Sequence, residues 1–441
     1  MTKIKAWKKL VAISCCALSF QSYAQDKQNL VMNLQECLSY AKEHSITLQK
    51  AKYNISDSEI EESTAKGAFL PKVSASVGQN FGNTPFTEVG DKNVYTGSYG
   101  ADLSLDLYKG GSNSLTLKQS KVETLISKEA LKELENSLEV SVTQVYIEIL
   151  YSIDQIKVVE NSLELSLKNV ERGKKQLELG SINESDYAQL ETAVSTEQYN
   201  LVVAKNALSS KYLTLKQLLE ISDQATLSIP SDELASEAII SKIPSLEQVY
   251  AAALESRAEI KASKLSIESA EYDQKLAKSD YLPTISLSAG IGLSHNTSSD
   301  YTFSNQLKNN YNHSVGVNVS VPIFNRNATK NAVKKSQNAV SYAKLELKEE
   351  TKNLYQTIES LYNNAVNAKS LYEVSEVKLK ALDKSLELVT KQFELGSKDI
   401  IDLLTEQDSY RTASGEYLEN KYTFILNKAI LNFYQNGIIK L

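Results

Sequence analysis

The sequence is short of the residues that carry most protein chemistry. Its 441 residues include three cysteines, three histidines and six prolines. Cys15 and Cys16 lie in an N-terminal stretch with a secretory pattern, so the rest of the chain holds only Cys37 and cannot form an internal disulfide. His44, His295 and His313 are far apart, and no His/Cys/Asp cluster has metal-ligand spacing. No glycine-rich phosphate loop follows a strand and opens a helix, and Gly-x-Ser-x-Gly is missing. These absences argue against an enzyme and give no reason to expect a cofactor. After the N-terminal stretch there is no run of about 18 apolar residues, so no membrane helix is expected. A membrane β-barrel stays open, because its signal per segment is weak.

Residues 1–24 read as a cleaved secretory signal. Lys3, Lys5, Lys8 and Lys9 make its positive start, Leu10 to Phe20 its short apolar run, and Ser22-Tyr23-Ala24 its small-x-small end. Ala12-Ile13-Ser14 is a poor lipidation signal ahead of Cys15. Without those lysines the chain is more acidic than the formal net charge of −6, which argues against nucleic acid as a partner.

Proline is absent between Pro85 and Pro230 and after Pro322, so nothing there must break a helix. In both tracts apolar residues recur at steps of four and three. One run passes Leu138, Val142, Val145, Ile149, Ile156, Val159 and Leu163 and stops at Leu179-Gly180-Ser181. The other passes Leu354, Ile358, Leu361, Ala365, Leu379, Leu386 and Phe393 and stops at Leu395-Gly396-Ser397. This is the coiled-coil period, interrupted at the small residues Ser152, Ser166, Gly173 and Ser375. A helix from about Ser112 to Leu179 would be roughly 100 Å long at ~1.5 Å per residue. After each glycine the period resumes, so each Leu-Gly-Ser reads as the tip of a very long antiparallel helical hairpin.

The chain repeats itself. Leu34 through Gly78 aligns without a gap to Leu246 through Gly290, and Phe69-Leu70-Pro71 matches Tyr281-Leu282-Pro283. The expected order is helix 34–68, β-hairpin 72–108 and helical hairpin 112–220 in repeat one, residues 25–221. After a connector, 222–244, with a short helix near Asp232 to Ile240, repeat two (245–441) gives helix 246–280, β-hairpin 284–324 and helical hairpin 328–436. Pro71 and Pro283 end the first helix of each repeat and lead into its strands.

The strands alternate. Val73, Ala75, Val77 and Phe81 interleave with Ser74, Ser76, Gly78 and Asn80. Val315, Val317, Val319, Val321 and Ile323 interleave with Ser314, Gly316, Asn318 and Ser320. An apolar face opposite a face of small polar residues is the transmembrane-barrel pattern. Four strands cannot close a barrel and lipid tolerates no open edge, so several chains would have to pool their strands.

Signal peptide, tandem repeat, Leu-Pro before each strand pair and helix–Leu-Gly-Ser–helix turns together resemble the TolC family of outer-membrane efflux ducts. The resemblance covers essentially the whole chain after the signal. It implies a mainly α protein with a small transmembrane β part: a homotrimer whose twelve-stranded β-barrel in outer-membrane lipid continues as a twelve-helix α-barrel across the periplasm. It implies helical tips, Leu179, Gly180, Ser181, Leu395, Gly396 and Ser397, that dock a periplasmic adaptor protein and an inner-membrane pump of the RND or ABC type. Near the tips it implies a periplasmic gate. Lys398 matches a basic residue that bonds a neighbouring chain, Ser185 and Asp186 match its acceptors, and Asp402 matches a carboxylate ring. Phe393 stands where the family pattern has a tyrosine, and Thr405 stands where it has a second acid, with Glu406 adjacent on another helical face. The loops from about Pro85 to Lys92 and His295 to Asn310 are expected to face outside. The competing class is a coiled-coil stalk or adhesin of the envelope, which explains the heptads but not the strands or the duplication.

Overall fold

A computed structural model describes residues 29–86, 88, 90–222, 226–230 and 242–439. The signal segment 1–24 and the short connector helix at 232–240 lie outside these residues. The chain begins with β1 (Asn29–Val31), α1 (Leu34–His44) and α2 (Ile46–Gly67). Strands β2 (Lys72–Asn83) and β3 (Asn93–Lys109) lead into α3 (Ser112–Glu178) and the returning α4 (Glu184–Leu218). A short strand β4 (Thr226–Ser228) pairs in parallel with β1. The second half gives α5 (Leu246–Ser256), α6 (Ala258–Ser279), β5 (Thr284–Asn296), α7 (Phe303–Asn309), β6 (Asn312–Ser320), α8 (Ala328–Glu394) and α9 (Ile400–Asn436).

The single helix expected at 34–68, and at 246–280, is two helices in each half. Ser45 leaves the helical region at ψ 119° and its hydroxyl accepts from the Leu48 N–H, which ends α1 and caps α2. Arg257 makes the same break at ψ 136° between α5 and α6. No proline or glycine marks either break; an extended backbone at one residue does it, helped at Ser45 by the local cap.

Helices α3 and α8 are each 67 residues long, about 100 Å at ~1.5 Å per residue. Each ends in the same Schellman turn. Gly180 and Gly396 sit at φ 70° and 74°, where a side chain would be strained. The Ser181 N–H donates to the Gln176 carbonyl at 2.7 Å and the Ser397 N–H to the Gln392 carbonyl at 2.9 Å, satisfying carbonyls the helix leaves open. The return helices start at side-chain caps: Asn183 accepts from the Asp186 N–H and Asp399 from the Asp402 N–H, both at 2.8 Å.

The small residues in the heptad seams are places of close approach. Ser152, Ser166, Gly173 and Ser375 are buried. A Cβ on Gly173 would lie 2.3 Å from Leu190 Cδ1 on α4. Gly173→Leu is therefore expected to splay α3 from α4 near the tip at a cost of about 1–3 kcal/mol. Limited proteolysis would show it as faster cutting between Lys174 and Glu184.

Strands β2, β3, β5 and β6 form one antiparallel sheet in that order, leaving β2 and β6 as open edges. Strand β6 stops at Ser320, short of the expected 324, because Pro322 has no N–H to give the ladder. Val321 and Ile323 are thus outside the strand and exposed. The β5–β6 loop holds α7, which the sequence pattern did not suggest; buried Gln306 fixes it by accepting from the Asn296 N–H and donating to the Tyr301 carbonyl, each at 2.8 Å.

The largest core joins α1, α3, α4, α9 and the β1–β4 pair around Tyr146, Ile149, Leu150, Leu215 and Phe433. A smaller one packs Val249, Ile260, Leu354, Ile358 and Leu431. A third, of Leu190, Leu386, Phe393, Ile400 and Leu403, holds the tip region.

Candidate functional site

The sheet sorts its residues by face. Val73, Leu103, Ala289 and Val315 form one row across all four strands, and Ser74, Asp102, Gly290 and Ser314 form the next. The rows continue to alternate: Leu105, Leu287 and Val317 are apolar, while Ser104, Ser288 and Gly316 are small and polar. The apolar face has no cover. Val315 is 75% exposed, Val77 71% and Val317 62%. An apolar band of this size left open marks an interaction surface, and an alternating strand face of this kind fits lipid. Aromatic residues bracket it. Phe81, Tyr95, Tyr301 and Phe303 are exposed at one end, and Phe69, Tyr108, Tyr281 and Phe324 at the other. Such paired girdles belong to the two interfaces of a bilayer. The sequence reading passed over them; aromatics clustered at both ends of alternating strands were the available signal.

Among the described residues no helix is long and apolar enough to cross a membrane. Both edges of the sheet carry unpaired backbone groups, which lipid could not satisfy.

At the far end of the long helices, Leu179 and Leu395 project into solvent at 80% and 83% exposure, one apolar knob per hairpin. Phe393 is turned inward, 3% exposed, against Leu190, Leu386, Ile400 and Leu403. Within this chain it is a core residue of the tip. Lys398, just before the Asp399 cap, places its Nζ 3.0 Å from Asp402 Oδ2 in the first turn of α9 of the same chain. Ser185 and Asp186 stand on the other hairpin, in the first turn of α4, where acids favour the helix N-terminus. Within one chain, then, Lys398 and Asp402 are brought together and Ser185 and Asp186 are not brought to them. The hairpins are tied to each other by Arg172 to Glu394 at 2.5 Å and Arg411 to Glu197 at 3.4 Å. Higher up, the Tyr422 hydroxyl donates to Asp154 at 2.7 Å. Burial, and then that carboxylate, hold its phenol well above the ordinary range.

The sheet with its lipid-type face thus leads into two helical hairpins, each with one helix about 100 Å long. The family model described as "Outer membrane efflux protein" matches residues 37–220 and again 249–432. This chain belongs to the outer membrane efflux protein family. The outer membrane efflux protein BepC of Brucella suis is 24% identical over 408 residues, 92% of this chain and 85% of that one. The outer membrane protein TolC of Vibrio cholerae is 22% identical over 408 residues, 90% and 88% of the two chains. Among solved structures, the fold is shared with the outer membrane protein VceC of Vibrio cholerae at a TM-score of 0.77 and 15% identity, covering 91% of this chain and 96% of that one. The CmeC channel of Campylobacter jejuni gives 0.76 at 16% identity, covering 92% and 86%. The chain is an outer-membrane exit duct of an efflux or secretion system, and the envelope-stalk reading is set aside.

Proposed function

We propose that three copies of this chain close a twelve-stranded barrel in the outer membrane and a twelve-helix tunnel below it. Cargo received from an adaptor and an inner-membrane pump of the RND or ABC type would leave by this path. The observation that carries this is the four-stranded sheet with an apolar outer face and two open edges, continuous with two long hairpins. Residues 1–24 act as the cleaved export signal. The exposed knobs Leu179 and Leu395 beside Gly180, Ser181, Gly396 and Ser397 are the surface on which the adaptor docks.

Lys398 and Asp402 form the gate, with Asp186 and Ser185 of a neighbouring chain as acceptors for Lys398. The 3.0 Å pair between Lys398 and Asp402 supports a modified version of it: the lysine offsets charge on its own carboxylate ring and lends less to the neighbour. Asp402 carboxylates gathered in a narrow aqueous opening attract cations.

The test is single-channel conductance of the purified oligomer in a planar bilayer. Wild type is expected to give a small, cation-preferring conductance. Asp402→Ala weakens the preference; Lys398→Ala raises both the conductance and the preference. A conductance indifferent to both substitutions would remove the gate assignment, and failure to insert at all would remove the duct.

A further inference from the structure

The chain contains, between its two halves, a seam of the kind its outer edges lack. Inside the chain β3 lies beside β5 and α3 beside α6. On their outward sides, among the described residues, β6 and α8 have no second neighbour of the β5–α6 type, and β2 and α2 no second neighbour of the β3–α3 type. The two halves are copies in register as well as in order. Helix Ile46–Gly67 recurs as Ala258–Ser279, and Ser112–Glu178 as Ala328–Glu394. The pairing of Lys72 with Ser104 recurs as Thr284 with Ser320. The inner seam is therefore a template for the outer one.

On the inner seam Gln119 Nε2 donates to Asp273 Oδ1 at 2.7 Å and to Ser269 Oγ at 3.4 Å, while Ser269 Oγ donates to Glu123 Oε1. The same places at the outer edges hold different residues. Lys335 stands for Gln119, Glu61 for Asp273, Asp57 for Ser269 and Ala339 for Glu123. An amide facing one carboxylate becomes an ammonium facing two, and the carboxylate that would repel Asp57 is replaced by a methyl group. Lys335, Asp57 and Glu61 are all exposed in the single chain. So are Tyr53 and Tyr342, whose counterparts Leu265 and Ile126 are half-buried on the inner seam. In the sheet, the β3–β5 register carried to the edges sets Val319 against the partner's Val77 and Ser320 against the partner's Ser76. It also sets Asn318 against the partner's Gly78 and Gly316 against the partner's Asn80, so each amide meets a glycine.

We propose that the surface that binds a second copy of this chain follows the internal seam residue for residue, with Lys335 held between Asp57 and Glu61 of the partner subunit. This rests on the oligomeric duct proposed above and adds what selects the neighbour. A lysine between two carboxylates favours joining edge to opposite edge around a ring, whereas two like edges would set lysine against lysine or acids against acids.

The experiment uses the full chain extracted in detergent. Light scattering gives the size of the oligomer, and its heat dissociation is followed on gels. Lys335→Glu is expected to lower the dissociation temperature by about 5 °C, since every seam is altered at once. Adding Asp57→Lys and Glu61→Lys to that variant restores it. In a Cys37→Ala background, Lys335→Cys with Glu61→Cys is expected to give a covalent ring with a short bismaleimide. An oligomer of unchanged dissociation temperature that does not cross-link would overturn the seam and leave the duct standing. A chain that stays monomeric would overturn both.

Discussion

A lysine in place of Val315 is expected to keep the chain out of the outer membrane. Val315 lies in the apolar row with Val73, Leu103 and Ala289, roughly midway between the two aromatic girdles. A lysine on the lipid face of a barrel costs about 2–4 kcal/mol at the bilayer midplane. If three copies share one barrel, the total is about 6–12 kcal/mol, comparable with the whole stability of a typical domain. The next residue is the control. Ser314 lies in the small polar row beside Gly290, two strands from Asp102, on the face assigned to the aqueous bore. Ser314→Lys is expected to insert normally and to shift ion selectivity. The measurement is the amount of heat-resistant oligomer in outer-membrane fractions, which falls several-fold or more for Val315→Lys and little for Ser314→Lys.

Phe393→Ala is the second large effect, and it acts at the other end of the molecule. Phe393 fills the core that holds α4, α8 and α9 together near the tip, with Leu190, Leu386, Ile400 and Leu403. Truncating a buried phenylalanine costs about 3–5 kcal/mol. The loss falls locally, because the larger cores lie far up the helices around Tyr146 and Ile358. The oligomer should therefore still assemble while its tips fray. Trypsin would then cut near Lys391 and Lys398 at protease levels that leave wild type intact, and the conductance would become large and noisy. Phe393→Tyr separates packing from polarity: it should retain tip protection, since the ring is kept.

Much of this fold was legible in the sequence, and the reasons are physical. The 4-3 spacing from Leu138 and from Leu354 needs a helical seam, and Gly180 and Gly396 supply the positive φ that ends it. Ser, Gly and Asn alternating with valine from Ser314 to Ser320 could be read as one face for lipid and one for water. Other features left no comparable mark. Ser45 and Arg257 break helices without a proline or glycine, because an extended ψ at one residue suffices when a new helix starts at the next. Helix α7 depends on a buried Gln306 that bonds to Asn296 and Tyr301, a contact that no periodicity encodes.

At the site the divide was similar. The tip residues could be placed by spacing alone, since Leu-Gly-Ser recurs in the same setting. Their partners could not. Lys398 stands just before the Asp399 cap and reaches Asp402 in the first turn of α9, and that competes with any bond to another chain. Phe393 was read as a gate position, yet it occupies an a/d-type position of the seam and is buried by α4 and α9.

The decisive test of a membrane-spanning sheet is the accessibility of neighbouring residues on one strand. In a Cys37→Ala background, Ser314→Cys and Val315→Cys are each placed in the membrane-inserted oligomer and exposed to a small charged thiol reagent. Modification is expected to be rapid at 314, from the aqueous bore, and blocked at 315, against lipid. Equal modification of both would mean a sheet bathed in water on each face, and the membrane-spanning duct would be wrong.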